Sequence, residues 1–130
     1  MDFNELYKEL ERIKHDIRAG ARDGLRTGAE KIAEAAASKP GSYQGAAGPF
    51  PAWAELKQGS SPLLKTGGLK SSINVAESGD SYIISADGYA LYHESGTTNI
   101  PQRAFLGPAL IENKDDVIEE IINAIRSKLP

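Results

Sequence analysis

The chain has 130 residues, of which 40% are apolar and 25% charged, and its formal net charge is -3. These values are typical of a single globular domain, and the acidic balance argues against a broad electrostatic grip on nucleic acid. The absence of cysteine excludes disulfide bonds and thiolate chemistry.

The N-terminal residues lack the basic start and apolar core of a signal peptide. No apolar run approaches the roughly 20 residues that cross a bilayer. We therefore expect synthesis in the cytoplasm and no membrane partner.

A long amphipathic helix is predicted for residues 1–37. Apolar residues recur there at steps of three and four, which is the helical period. They are Phe3, Leu6, Leu10, Ile13, Ile17, Ala21, Leu25, Ala29, Ile32 and Ala36. Acidic and basic side chains interleave on the opposite faces, which we expect to be solvated.

Within this helix Gly20, Gly24 and Gly28 recur every four residues. Each should cost about 1 kcal/mol of helix propensity relative to alanine. Two interpretations follow. The glycines form a smooth groove that admits another helix or a neighbouring subunit, or they mark a weak or bent helix.

Residues 38–62 are predicted to form an extended loop or arm, because they hold four of the seven prolines and few strand-forming residues. The aromatic residues Tyr43, Phe50 and Trp53 argue against a pure linker. Trp53 is expected to anchor the arm on the protein's own core, with a contact to a partner as the alternative.

Residues 63–103 are predicted to form a β-rich core. Two β-like stretches, "LKSSINVAES" and "DSYIISADG", are joined through Ser78, Gly79 and Asp80 as a hairpin. Ile73 and Val75 share one face of the first stretch, which favours a half-buried antiparallel sheet.

Residues 104–130 are predicted to form a C-terminal amphipathic helix, with Pro108 in its first turn. Its apolar positions are Leu110, Val117, Ile118, Ile121, Ile122, Ile125 and Leu129. A separate helix starting between Asn113 and Asp116 is the alternative. The sequence as a whole predicts one α+β domain over residues 1–130, in which the two helices flank a small antiparallel sheet.

His93 and Glu94 are the first candidates for catalysis. A metalloprotease helix needs a second histidine four positions after the first, but position 97 is threonine and the other histidine is His15. No G-x-S-x-G motif supports a serine hydrolase. In "KTGGLKSS" Leu69 separates Gly68 from Lys70, which breaks the phosphate-loop pattern. We expect no catalytic, metal or cofactor site, and no enzymatic activity.

Three phrases remain: "TGGLKSSI" at 66–73, "YALYHESGT" at 89–97 and "IPQRAFLGPAL" at 100–110. In this order they resemble the virion-morphogenesis or tail-completion family of tailed bacteriophages. The matching residues are Thr66, Gly67, Leu69, Ser72, Ile73, Tyr89, Ala90, His93, Glu94, Gly96, Thr97, Ile100, Pro101, Arg103, Phe105, Leu106 and Ala109, with Trp53 and Leu56 upstream. Ala104 departs from the family pattern, which often has proline there.

The resemblance implies a structural virion protein that forms a ring at the head-tail junction, or neck, or at the tail end, where it completes the tail. Family rings are commonly six-fold, so a homohexamer is expected. The implied partners are the connector or portal-side protein and the tail terminator or tube protein. DNA would pass through the lumen without specific binding.

The residues themselves allow a structural role for the same motifs. Glycine tolerates positive φ, so His93 and Glu94 can brace a turn through Gly96. Pro101 favours an extended conformation of the residue before it. Phe105 and Leu106 are expected to pack against the sheet before the last helix begins. We expect the planar fork of Arg103 to bind a carboxylate, with Glu94 preferred, within the chain or across a subunit boundary.

Two rival hypotheses remain from the sequence. One is a non-viral soluble adaptor, monomeric or dimeric and without catalysis, which could use the glycine stripe and the long arm equally well. The other is a hydrolase that uses His93 and Glu94.

Overall fold

The structure, a computed structural model, describes residues 2–40, 42–54, 68–88 and 90–130, with only the backbone at positions 68, 70 and 91. The elements in chain order are α1 (Phe3–Ser38), α2 (Gly68–Ser72), β1 (Asn74–Ser78), β2 (Ser81–Ser85), α3 (Ala90–Ser95) and α4 (Leu106–Lys128). The predicted α+β class is confirmed: the long N-terminal helix and the C-terminal helix accompany a two-stranded antiparallel sheet. Among the described helices, none is long and apolar enough to cross a membrane.

Helix α1 begins with a reciprocal cap. The Asp2 carboxylate accepts the Glu5 backbone N–H at 2.8 Å, and the Glu5 carboxylate accepts the Asp2 N–H at 3.0 Å. This arrangement satisfies two amides that lack intrahelical acceptors. The helix ends at Ser38, two residues before Pro40, which cannot continue it.

The glycine stripe of α1 is filled by α4, which runs antiparallel to it. On α4, Ile125 lies opposite Gly20, Ile121 lies opposite Gly24 and Val117 lies opposite Gly28. A Cβ at Gly24 would lie 2.5 Å from the Ile121 Cα, which is backbone. The groove interpretation is therefore correct, and the helix that enters the groove belongs to the same chain.

The two helices differ in length, and this leaves part of α1 uncovered. Helix α1 has 36 residues and α4 has 23, and α4 ends shortly after it passes Gly20. The apolar stripe predicted for α1 is therefore buried only in its C-terminal half. Phe3 is 89% exposed and Leu10 is 56% exposed.

The sheet is a hairpin with Val75 paired to Ile84 and Ser78 paired to Ser81. Val75, Tyr82 and Ile84 are half-buried while Ile83 is exposed, so one face packs and the other is solvated, as predicted. The hairpin contacts α1, and Arg22 donates to the Asp80 carboxylate at 3.2 Å.

The segment predicted as a β-rich core holds two short helices beside the hairpin. The first β-like stretch begins as α2, and the chain becomes extended only at Asn74. Ser72 explains part of this difference, because its hydroxyl donates to the Leu69 carbonyl at 2.7 Å and accepts the Asp87 N–H at 3.0 Å. Leu69 is buried from a helical position.

The arm predicted for residues 38–62 begins one residue later than expected, because Ser38 is the last residue of α1, and its described residues 42–54 contact the body of the protein. Ala47 and Phe50 exchange backbone hydrogen bonds of 3.0 and 2.9 Å around a tight turn. Trp53 is only 6% exposed, which confirms that it anchors this segment on the core. The remainder of the predicted arm, from position 55, lies outside the described residues.

One apolar cluster joins these elements. Phe105, Ala36 and Ala109 are fully enclosed, and Phe105 is the largest side chain with no exposed surface. The buried members of the cluster are Ile32, Ala36, Trp53, Leu69, Ala90, Phe105 and Ala109. The core therefore sits where the C-terminal part of α1 meets the start of α4.

Candidate functional site

Most residues of the three motif phrases converge on the start of α4. Trp53, Leu69 and Phe105 share the core cluster, with Ile73 and Leu106 packed against it. His93, Glu94 and Arg103 are joined to the same region by hydrogen bonds. Pro101 is exposed at its edge. The motif residues Leu56, Thr66, Gly67 and Tyr89 lie outside the described residues.

Helix α3 presents the His-Glu pair and ends at Ser95, immediately before Gly96. Gly96 has φ of +76°, and its N–H donates to the Tyr92 carbonyl at 2.9 Å. A left-handed residue at this point is a common helix terminator, and glycine adopts it without strain. Thr97 then closes a turn, because its hydroxyl accepts the Ile100 N–H at 3.0 Å. The chain is thereby directed back past α3 towards α4.

Glu94 caps the N-terminus of α4. One carboxylate oxygen accepts the N–H groups of Phe105 and Leu106 at 2.8 and 3.1 Å, and the other accepts the Gly107 N–H at 2.8 Å. The next residue, Pro108, has no N–H, and the Ala109 N–H reaches the Phe105 carbonyl. Every amide at the start of α4 is thus accounted for, and the negative charge faces the positive end of the helix.

Arg103 does not pair with Glu94, the carboxylate preferred for it from the sequence. Its Nε and Nη2 atoms both donate to the Ala54 carbonyl, at 3.1 and 2.9 Å, and its side chain is buried. Its backbone N–H donates to the His93 carbonyl at 2.7 Å. The expected pair with Glu94 within the chain is wrong, since the Glu94 oxygens are directed to the α4 amides. Arg103 instead ties the end of the 42–54 segment to α3.

Trp53 makes the second tie between these segments. Its indole N–H donates to the Ala104 carbonyl at 2.7 Å in a buried position. A buried tryptophan usually finds such an acceptor, because leaving the N–H unpaired is costly. Together Trp53 and Arg103 hold residues 53–54 against the strand-like segment before α4.

His93 is half-buried in this cluster. Its pKa is lowered from the ordinary value, because burial disfavours the charged imidazolium and the positive charge of Arg103 adds to the effect. In the described parts of the chain, no group of three or more His, Asp or Glu side chains is arranged to hold a metal ion. The geometry is that of a capped helix junction, in which Glu94 and Arg103 bind backbone groups.

The lowered pKa of His93 predicts a loss of stability in mild acid. Below the ordinary histidine value of 6.5, the unfolded chain binds a proton that the folded chain resists, so the free energy of unfolding should fall as pH decreases through this range. Urea unfolding at a series of pH values measures this slope. His93→Gln should flatten it, because glutamine does not titrate.

The matched control for this measurement is Asn99→Gln. It introduces the same residue at an exposed position and removes no titrating group, so it should leave the slope unchanged. Equal slopes in the wild-type protein and in His93→Gln would show that His93 does not resist protonation.

Comparison with protein-family models, with curated proteins and with solved structures finds no match for this chain. The resemblance to phage tail-completion proteins therefore stays a prediction that rests on the motif residues.

The sequence reasoning missed the acceptors at this site. Ala54 and Ala104 contribute carbonyl oxygens, and backbone atoms carry no signal in the side-chain pattern. It also missed the buried Lys39, whose ammonium lies 2.8 Å from the Glu112 carboxylate. The counterparts of the glycines on α4 could have been found, because Val117, Ile121 and Ile125 repeat at the same spacing of four.

Proposed function

We propose that this protein is a structural component of a tailed-phage virion, without catalytic activity, which forms a ring at the neck or tail end. In this role it completes the tail and joins it to the head. Its partners would be copies of itself, in an expected hexamer, together with a connector or portal-side protein and a tail terminator or tube protein. DNA would pass through the lumen of the ring.

The observation that carries the proposal is the convergence of the three motif phrases on the start of α4. Residues that are far apart in the chain meet there, with Glu94 13 positions from Gly107 and Arg103 49 positions from Ala54. The Glu94 oxygens and the Arg103 Nε and Nη2 atoms bind backbone groups of the same chain. Such a cluster supports a scaffold that presents surfaces, which is what an assembly protein needs.

The proposal is tested by composition and mass. Purified virions of the parent phage should contain the protein at a fixed copy number that matches a closed ring, as measured by quantitative mass spectrometry. The isolated protein should give a discrete multiple of 13.9 kDa in native mass measurements as concentration rises. Absence from virions, with a monomer or dimer at every concentration, would favour the adaptor hypothesis instead.

A further inference from the structure

Two apolar helix faces are uncovered in the described chain. The α1 stripe consists of Phe3, Leu6, Tyr7, Leu10 and Ile17, which are all between 40% and 89% exposed. The α4 stripe consists of Ile118 and Ile122, 45% and 42% exposed, and of Ile111, which is 40% exposed and borders Gly48 of the 42–54 segment. Monomeric proteins seldom expose aligned large apolar side chains of this kind, and such patches commonly mark contact surfaces.

The two stripes are different surfaces of similar extent. At a rise of about 1.5 Å per residue, the α1 stripe is about 21 Å long and the α4 stripe about 17 Å long. On α4 the stripe lies about a quarter of a turn from Ile121 and Ile125, which face the α1 glycines. A second helix seated on the α4 stripe would therefore lie beside α1 as the third member of a helical bundle.

We propose that the α1 stripe of one copy packs antiparallel on the α4 stripe of the next copy. This inference rests on the proposed function and names the contact between neighbouring subunits of the ring. Because the two surfaces differ, the contact is head-to-tail, and repetition of a head-to-tail contact closes a ring when its rotation allows. The contact also continues an existing interface, since α4 already packs on the same face of α1 within each chain.

Charge at the edges of the stripes favours the antiparallel direction. On a helical projection, one edge of the α1 stripe carries Lys14 and Arg18, with Glu11 beside them, and is basic on balance. The corresponding edge of the α4 stripe carries Glu112, Asp115 and Glu119, with Arg126 among them, and is acidic on balance. Antiparallel packing brings corresponding sides together, so the basic edge meets the acidic edge. Parallel packing would separate them.

The opposite edges are also complementary. On the helical projection, Glu9 and Asp16 lie on the other edge of the α1 stripe, and Lys114 lies on the other edge of the α4 stripe. In the antiparallel arrangement Lys114 of one copy faces the acidic edge of the other. Both edges of the contact therefore pair opposite charges, which sets the direction of the helices.

An antiparallel pair of α1 stripes fits less well, because the acidic edges with Glu9 and Asp16 would face each other and repel. A parallel pair of α1 stripes would join two copies at Leu10, so cross-linked products distinguish it from the α1–α4 contact.

Cross-linking tests the contact, and the absence of native cysteine makes the test clean. Leu10→Cys and Ile118→Cys proteins are mixed in equal amounts, at the concentration where association occurs, and treated with a short bismaleimide. The expected product is a covalent dimer that contains one chain of each variant. Dimers of Leu10→Cys with itself as the main product, or no dimer in the mixture, would overturn the proposal.

Charge reversal supplies the second test, because it alters no buried side chain. Lys14→Glu should raise the concentration needed for half-association by about three-fold or more, and adding Glu119→Lys should restore it. Asn123→Glu, which is exposed on α4 away from the stripe, is the matched control and should leave association unchanged. Failure of the double variant to recover would contradict the edge pairing.

Leu10→Glu separates this inference from the proposed function. Leu10 is exposed, so the variant should unfold at the wild-type temperature but lose association. A ring that persists in Leu10→Glu would overturn the α1–α4 contact and leave the virion role standing. A mixed cross-link that forms in a protein absent from virions would support the contact and overturn the virion role.

Discussion

Gly24→Ala should destabilise the protein by about 2 kcal/mol, although alanine is the better helix former. The added Cβ would lie 2.5 Å from the Ile121 Cα, 3.0 Å from its nitrogen and 3.1 Å from the Glu120 carbonyl oxygen. These are backbone atoms and cannot rotate away. Helices α1 and α4 would have to separate, and the packing on either side of Gly24 would loosen.

The sign of the change decides between the two explanations of the glycine stripe. If the glycines only weakened the helix, Gly24→Ala would stabilise the protein by about 1 kcal/mol. Urea unfolding measures the free energy, and Gly45→Ala serves as the matched control. A Cβ at Gly45 would meet no atom within 4 Å, so that variant should stay within about 0.5 kcal/mol of the wild-type protein.

Periodicity predicted the large elements of this fold because they bury long apolar faces. The spacing of Ile13, Ile17 and Leu25 gave α1, and the alternation around Val75 gave the hairpin. The short helices α2 and α3 were missed, since five or six residues are too few for a helical period to emerge. Their formation depends on tertiary contacts, such as the burial of Leu69 and Ala90.

At the site, too, the side-chain pattern predicted which residues lie together but not their contacts with the backbone. The motif phrases predicted that His93, Glu94 and Arg103 belong together and that the pair is architectural. The sequence could not assign Glu94 to the α4 amides, because those donors are backbone groups of residues with apolar or no side chains. An arginine near a glutamate suggested an ion pair, whereas Glu94 accepts the α4 amides and Arg103 donates to the Ala54 carbonyl.

The exposed apolar stripes of α1 and α4 could not be predicted from the periodicity of the sequence. A helical stripe predicts that a face will be buried, but it does not say by which chain. Helix α1 has 36 residues and α4 has 23, so the apolar stripe through Leu10 extends beyond the part of α1 on which α4 packs. On α4, Val117 packs against Gly28 of α1, whereas the next residue, Ile118, lies on a different face and is exposed.

Glu94→Ala should destabilise the protein by about 3 kcal/mol, because it would leave three amides at the start of α4 without their acceptor. These amides, of Phe105, Leu106 and Gly107, lie partly buried beside the core. Urea unfolding should show the full loss, and Glu34→Ala, at an exposed position on α1, should change little.

Glu94→Gln distinguishes a cap from a catalytic group. The glutamine side chain keeps one carbonyl oxygen that can accept an amide hydrogen bond, but it loses the second acceptor and the charge that complements the helix dipole. We therefore expect an intermediate loss of about 1.5 kcal/mol, so that stability ranks wild type above Gln and Gln above Ala. A catalytic carboxylate would show the opposite pattern, with activity abolished equally by both substitutions and stability unaffected or increased. Equal stability of all three proteins would remove the capping role, and with it the structural explanation of the His-Glu motif.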